Sequence, residues 1–256
     1  MTKKIIGLAL GGGAARGLAH VGVLKGLIQS GISVDCVAGT SAGAIVGGLF
    51  AAGIGMEQLV QACSGLRWSS FVKFQFSKMG LFSSKPLDQL LDGLIGSREF
   101  SHLNVPLAVL ATDIQTGMGK IFSEGSVTQA IKASYSFPGV FEPTEINGRW
   151  YCDGGASGNV PSYVVRQMGA NVVLAVDVIP ALQLEAPPRN LASMVDRGLD
   201  ILLHHVSVDS YKDADILLQP VTEYFNSFNV RKGMRMIELG QIAVEQNIER
   251  IRKLVE

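Results

Sequence analysis

Charge is scarce in this sequence and balanced where it occurs. Asp, Glu, Lys and Arg make up 17% of the 256 residues, with 22 side chains of each sign. No basic surface follows from such a composition, so nucleic acid is not an expected partner. Cysteine is nearly missing. Cys36, Cys63 and Cys152 are odd in number and scattered, which argues against a disulfide framework and for free thiols in a reducing compartment, here the cytoplasm. No cluster of His, Cys or carboxylate has ligand spacing among the four histidines and 22 acids, so neither a metal nor another cofactor is expected. No uninterrupted apolar span of transmembrane length is present. Lys3-Lys4 before Ile5 to Leu10 imitates the start of a signal peptide, but the apolar stretch is short and dissolves into glycines and Arg16, so it is read as a first strand. Repeats, low-complexity tracts and linkers are also lacking, and one domain over 1–256 is expected, with a motif-bearing core over about 5–180 and a helical part over about 190–256.

What the chain has is apolar residues, 47% of the total, and 30 glycines. The organising stretch is Cys36-Val37-Ala38-Gly39-Thr40-Ser41-Ala42-Gly43-Ala44. An apolar run ends in Gly-x-Ser-x-Gly and passes directly into a helix-compatible run, the context of a nucleophile elbow. Such a turn crowds the residues two places either side of the serine. Glycine at 39 and 43 removes the Cβ atoms that would clash, and Thr40 and Ala42 flank the candidate nucleophile Ser41.

Between the first strand and a helix from about Leu18 to Gln29 lies Gly11-Gly12-Gly13-Ala14-Ala15-Arg16-Gly17. A glycine-rich loop at a helix N-terminus exposes N–H groups to an anion. A dinucleotide fingerprint fails on register, because the sixth place from Gly11 is Arg16. A Walker A loop fails because Leu18 and Ala19 follow Gly17. The remaining reading is an oxyanion hole built from the N–H groups of Gly12 and Gly13, with Arg16 holding the loop, attracting a phosphate or forming a plain structural ion pair. The loop and the elbow follow consecutive strands, which places them side by side at one end of a parallel sheet. His20, one turn into the helix, is read as a packed or capping residue that points away from the loop.

Further along, 66–82 is aromatic and poor in charge, with Lys73 and Lys78 interspersed. It is read either as core or as an apolar flap over an acyl groove that touches a membrane peripherally. Val105 to Asp113 is a buried strand, and Asp113 at its end either lines a cleft or serves structurally. Asn147-Gly148 marks a hairpin, whose second strand leads into Asp153-Gly154-Gly155. Asp153, on a tight loop with little steric cover, is the candidate base. A Ser–His–Asp arrangement would need a late His. His204 and His205 are the only choices, and they fall inside an apparently continuous helix from about Leu191 to Asp209, whereas a triad His is normally presented by a loop. Alternating strands and helices predict a three-layer α/β/α fold with a mostly parallel sheet.

The loop Gly11–Gly17, the elbow Gly39–Gly43 and Asp153-Gly154-Gly155, in this order, resemble the three signatures of the patatin-like phospholipase family. The stretches Ala133-Ser134 to Pro143 and Asn159-Val160-Pro161 are similar to it as well. The nearest likeness is to small stand-alone bacterial members related to the catalytic domain of neuropathy target esterase. The resemblance covers about residues 5–180. It implies a patatin-like fold and a Ser41–Asp153 dyad without a catalytic His, in which Ser41 attacks, Asp153 is the base and Gly11–Gly13 with Arg16 form the oxyanion hole. The implied activity is hydrolysis of lipid or lysolipid esters. Acyl transfer through the same acyl-enzyme, or an adaptor that keeps the fold, are the alternatives.

Overall fold

Short apolar runs bounded by glycine or polar residues become the inner strands of one sheet. The computed structural model describes residues 4–63, 73–74, 79–180, 187–221, 225–227 and 230–256. The strands β1 (Ile6–Leu10), β2 (Cys36–Thr40), β5 (Leu107–Asp113), β10 (Val172–Val176) and β11 (Ile216–Leu218) lie parallel, in the order β11-β10-β1-β2-β5. β9 (Arg149–Asp153) and β8 (Thr144–Ile146) continue the sheet antiparallel, and β6 (Gly119–Phe122) pairs with β5.

The two faces differ in residue size, as the period-2 alternation of strands allows. Leu8, Leu10, Val37, Val109, Leu174 and Val176 point to the larger core. It is covered by α1 (Leu18–Gln29), α2 (Ala42–Ala51), α3 (Met56–Cys63), α4 (Lys85–Leu94), α5 (Val127–Tyr135) and α8 (Gly233–Val255). Ala9, Cys36, Ala38, Ala108, Val173 and Ala175 face the thinner side, where α6 (Ser162–Gln167) packs through Val164 and Val165. Cys36 and Cys152 are buried free thiols. The architecture is the three-layer α/β fold expected from the alternating elements.

One detail of the register builds the site. β2 pairs with Leu107 to Leu110 of β5, Thr40 lying opposite Leu110. β9 pairs with the next rungs, Asp153 lying opposite Ala111. β6 occupies Val109 to Thr112 on the other edge of β5. β2 and β9 therefore share one edge and meet end to end, one arriving from each direction, so Thr40-Ser41 and Asp153 come to the same point.

The aromatic stretch 66–82 is described only at 73–74 and 79–82, so the expectation of an apolar flap lies mostly outside the described residues. Within them, β3 (Lys73–Phe74) and β4 (Gly80–Ser83) form a second sheet with β7 (Gly139–Phe141), β4 running parallel to β7. β7 lies in the proline-bracketed stretch read from sequence as a loop.

Candidate active site

Ser41 occupies the turn between β2 and α2 with φ 52° and ψ −118°, a strained conformation for a residue with a side chain. Crowding explains its neighbours. A Cβ on Gly39 would lie 2.5 Å from the Gly43 carbonyl oxygen, and a Cβ on Gly43 would lie 2.1 Å from the Leu10 oxygen at the end of β1. The elbow is thus pressed against the adjacent strand as well as against itself, and neither position accepts a side chain.

The Ser41 hydroxyl donates to Asp153 Oδ2 at 2.6 Å. Asp153 is buried, and its Oδ1 accepts the Gly155 N–H at 2.8 Å. Burial is the dominant influence on its carboxyl and raises its pKa to about 6, against the opposing bonds from Ser41 and Gly155. Gly154 is pressed onto the sheet, since a Cβ there would meet the Leu110 oxygen at 2.2 Å.

Residues 134 to 136 clamp both members of the pair, a role that sequence reasoning did not assign. Ser134 Oγ accepts the Ser41 N–H at 2.8 Å and donates to the Leu110 oxygen at 2.6 Å. The Ser136 carbonyl accepts the Asp153 N–H at 3.0 Å. Thr112 Oγ1 donates to the Asp153 carbonyl at 2.9 Å. The only signal in the sequence was the position of Ser134 inside the apolar stretch before Pro138.

The glycine loop is held by its carbonyls. His20 Nε2 bonds to the Gly11 oxygen at 2.7 Å, Asn159 Nδ2 to the Gly12 oxygen at 3.4 Å, and Arg16 Nε to the Gly13 oxygen at 3.4 Å. His20 therefore reaches back to the loop, contrary to the sequence reading, because Cα–Cβ bonds tilt toward a helix N-terminus. Burial lowers its pKa to about 4, so it is a neutral donor at physiological pH. Gly11 N–H donates to Val176 O at 3.0 Å and Gly12 N–H to Asn159 O at 3.3 Å. For Gly13 N–H no carbonyl takes up the proton among the described residues.

Arg16 is buried and bidentate to Asp200 of α7 (Leu191–Val208) at 3.0 and 2.6 Å, with Ser227 Oγ at 2.8 Å. It is a structural tie between loop and helix. Asp113 is likewise structural. It caps the turn through the N–H groups of Gln115 and Thr116 and pairs with Arg149 at 2.7 Å. His204 and His205 lie within α7, stacked edge to face with ring centres 5.9 Å apart; the hydroxyl of Ser41 is bonded to Asp153 instead.

Ser41, Asp153 and Gly12 to Gly17 open onto a cavity of about 210 Å³ lined mainly by apolar side chains, including Ile45 and Leu49 of α2, Leu59 of α3, Leu87 and Leu94 of α4, and Leu203 of α7. Among the described residues, no group of three or more His, Cys, Asp or Glu side chains is gathered as a metal ion would need, and no helix is long and apolar enough to cross a membrane.

The sequence profile described as "Patatin-like phospholipase" matches residues 8–165. The chain is 32% identical over 187 residues to patatin-like phospholipase domain-containing protein 7 of Mus musculus, covering 70% of this chain and 14% of that protein. It is 31% identical over 176 residues to an NTE family protein of Mycobacterium bovis, covering 68% of this chain and 49% of that one. To neuropathy target esterase sws of Drosophila melanogaster it is 31% identical over 188 residues, 70% of this chain and 13% of the fly protein. The chain thus spans half or less of the length of these relatives. VipD from Legionella pneumophila shares the fold, with a TM-score of 0.56 at 14% identity, over 98% of this chain and 67% of that chain.

Proposed function

The chain belongs to the patatin-like phospholipase family, and from that premise we propose that it is a serine acyl hydrolase of lipid or lysolipid carboxylic esters. The observation that carries the reading is the 2.6 Å bond between Ser41 Oγ and Asp153 Oδ2 at the wall of an apolar cavity. The names of the relatives, a phospholipase and an esterase, agree with it.

In this reading Asp153 takes the hydroxyl proton as Ser41 Oγ attacks the ester carbonyl carbon. The oxyanion meets the N–H groups of Gly13 and of Ala42, the residue after the nucleophile, where the dipole of α2 also favours negative charge. As the tetrahedral intermediate collapses, the leaving alcohol takes the proton back from Asp153. Water then attacks the acyl-enzyme, gives its proton to Asp153 and releases the fatty acid while Ser41 recovers its hydrogen. A carboxylate is a weak base for a hydroxyl, so alignment by Ser134 and the Ser136 carbonyl, together with oxyanion stabilisation, must supply most of the rate. The acyl chain lies along the cavity between α2 and α4. β11 extends the sheet and α8 packs on α1, which supports reading the C-terminal part as one unit with the core.

A fluorophosphonate probe tests this directly. It should label intact protein at Ser41, and neither the Ser41→Ala nor the Asp153→Asn protein should react at a comparable rate. Absence of label on the unaltered protein, beside a control hydrolase that labels, would turn the reading toward an adaptor.

A further inference from the structure

Helix α7 is amphipathic in the wrong sense for a water-facing element. Its buried residues are largely polar. Asp196, Arg197, Asp200 and Ser207 are all buried, Asp196, Asp200 and Ser207 lying on one stripe at i, i+4 and i+11. Asp200 pairs with Arg16, and Asp196 accepts the Ser227 N–H at 3.4 Å and Asn226 Nδ2 at 3.1 Å. The opposite face is apolar and exposed: Leu191 at 81%, Met194 at 59%, Val195, Ile201, Leu202 at 64% and Val208. Six of the fourteen exposed large apolar side chains of the described residues lie on this one helix. A helix of a soluble domain turns its apolar stripe inward, and a contiguous exposed stripe of this kind marks an interaction surface.

What the stripe meets follows from its place. Leu199 and Leu203 of the same helix line the cavity that holds Ser41, and Leu203 packs against Gly155, where an added Cβ would lie 3.0 Å from its Cδ2. The apolar surface thus runs from the outside of α7 to the catalytic cavity. Both acidic residues of α7 are buried, so the helix itself adds no negative charge to its outer face, and exposed Asp209 follows as its C-terminal cap. Exposed Arg189 precedes the helix, and exposed Arg231 and Lys232 follow Val230, another residue of the cavity wall. We infer that the outer face of α7 docks on a lipid surface with anionic headgroups, lying in the interface with its apolar stripe immersed and Leu199 and Leu203 passing an ester from that surface to Ser41. The lipid-ester reading supplies only that last step; the docking rests on the inverted face and its charge.

The test separates docking from catalysis. Ser41→Ala protein is incubated with vesicles of phosphatidylcholine, with and without phosphatidylglycerol, and sedimented. It should pellet with the vesicles, more strongly with the anionic lipid, and Met194→Glu/Leu202→Glu in the same background should weaken binding by about tenfold or more. With Ser41 intact, the Met194→Glu/Leu202→Glu enzyme should keep its kcat/KM on a soluble nitrophenyl ester within about twofold while losing about tenfold on vesicle-borne lipid. Retained turnover of the soluble ester also shows that the double variant folds. Vesicle binding unchanged by the two glutamates overturns the inference. So does a Ser41→Ala protein that stays in the supernatant with both vesicles, and the more so if it sediments as a dimer that the glutamates dissociate, since the face would then meet a second copy. Failure of the unaltered protein to cleave any ester would overturn the catalytic reading and leave the vesicle result to judge the docking.

Discussion

Asp153 carries opposite demands at the scale of a single residue. Its carboxyl loses its proton at about pH 6 in the folded protein, against 3.8 for an ordinary Asp. As a base it must be ionised, so kcat/KM on a soluble ester should fall about tenfold per pH unit below about 6 and level off above it. A pH profile with no limb near that value would remove Asp153 from the base role. Stability moves the other way. Between those two pKa values the folded state binds the proton more tightly than the unfolded chain, so stability is highest at acid pH. It is lost as pH rises through about 6, by about 3 kcal/mol over the full interval. Asp153→Asn, which removes the buried charge, should therefore abolish turnover yet gain about 2 kcal/mol over the unaltered protein at pH 8 and little at pH 4, read by urea unfolding at both pH values. Ser134 is the second test. Ser134→Ala leaves the Ser41 N–H and Leu110 oxygen without their partner, which should cost about 1–3 kcal/mol of stability and lower kcat with KM nearly unchanged. Ser41 and Asp153 were legible because the glycines beside them betray crowded backbone. Ser134 was not, because a buried hydroxyl bridging two backbone groups leaves no pattern around it.

At the scale of elements, glycine means different things on different helices. α1 and α8 approach so closely that a Cβ on Gly22 would lie 1.9 Å from the Ile237 oxygen, and one on Gly240 would lie 2.1 Å from the Ala19 oxygen. Gly22→Ala should therefore destabilise by about 3 kcal/mol by forcing the helices apart, although alanine is the better helix former. Gly198, inside α7 with nothing within 4 Å of an added Cβ, should gain about 0.5–1 kcal/mol on the same change. Thermal unfolding of the two variants should shift in opposite directions. The boundaries of α7 were readable. Asn190 Oδ1 accepts the Ser193 N–H at 2.9 Å and Ser193 Oγ accepts the Asn190 N–H at 3.1 Å, a reciprocal cap. Which of its faces turns inward was not readable, since hydrophobicity alone would have buried the wrong one.

The whole molecule couples its ends through the Arg16–Asp200 pair, 184 residues apart in sequence and buried between glycine loop and α7. Asp200→Ala would leave a guanidinium stranded without its carboxylate and should cost about 3–5 kcal/mol. Arg16→Met/Asp200→Leu should recover most of that stability. Turnover should stay low in the double variant, because the Gly13 carbonyl has lost the Arg16 Nε that holds it; full activity there would make Arg16 a packing residue only. The alternation of apolar strands with helices, the elbow and the loop are local patterns, so the amino-acid sequence by itself determined the α/β class and singled out the two residues that now touch, but not the small sheet of β3, β4 and β7. Only the tertiary structure decided that they touch: β2 and β9, 112 residues apart at Ser41 and Asp153, run head-on along one edge of β5, and strand register is a long-range choice that no short window of sequence records. For the same reason it alone could show which loop amides are already engaged, which way His20 reaches, and that α7 hides its charges and shows its leucines.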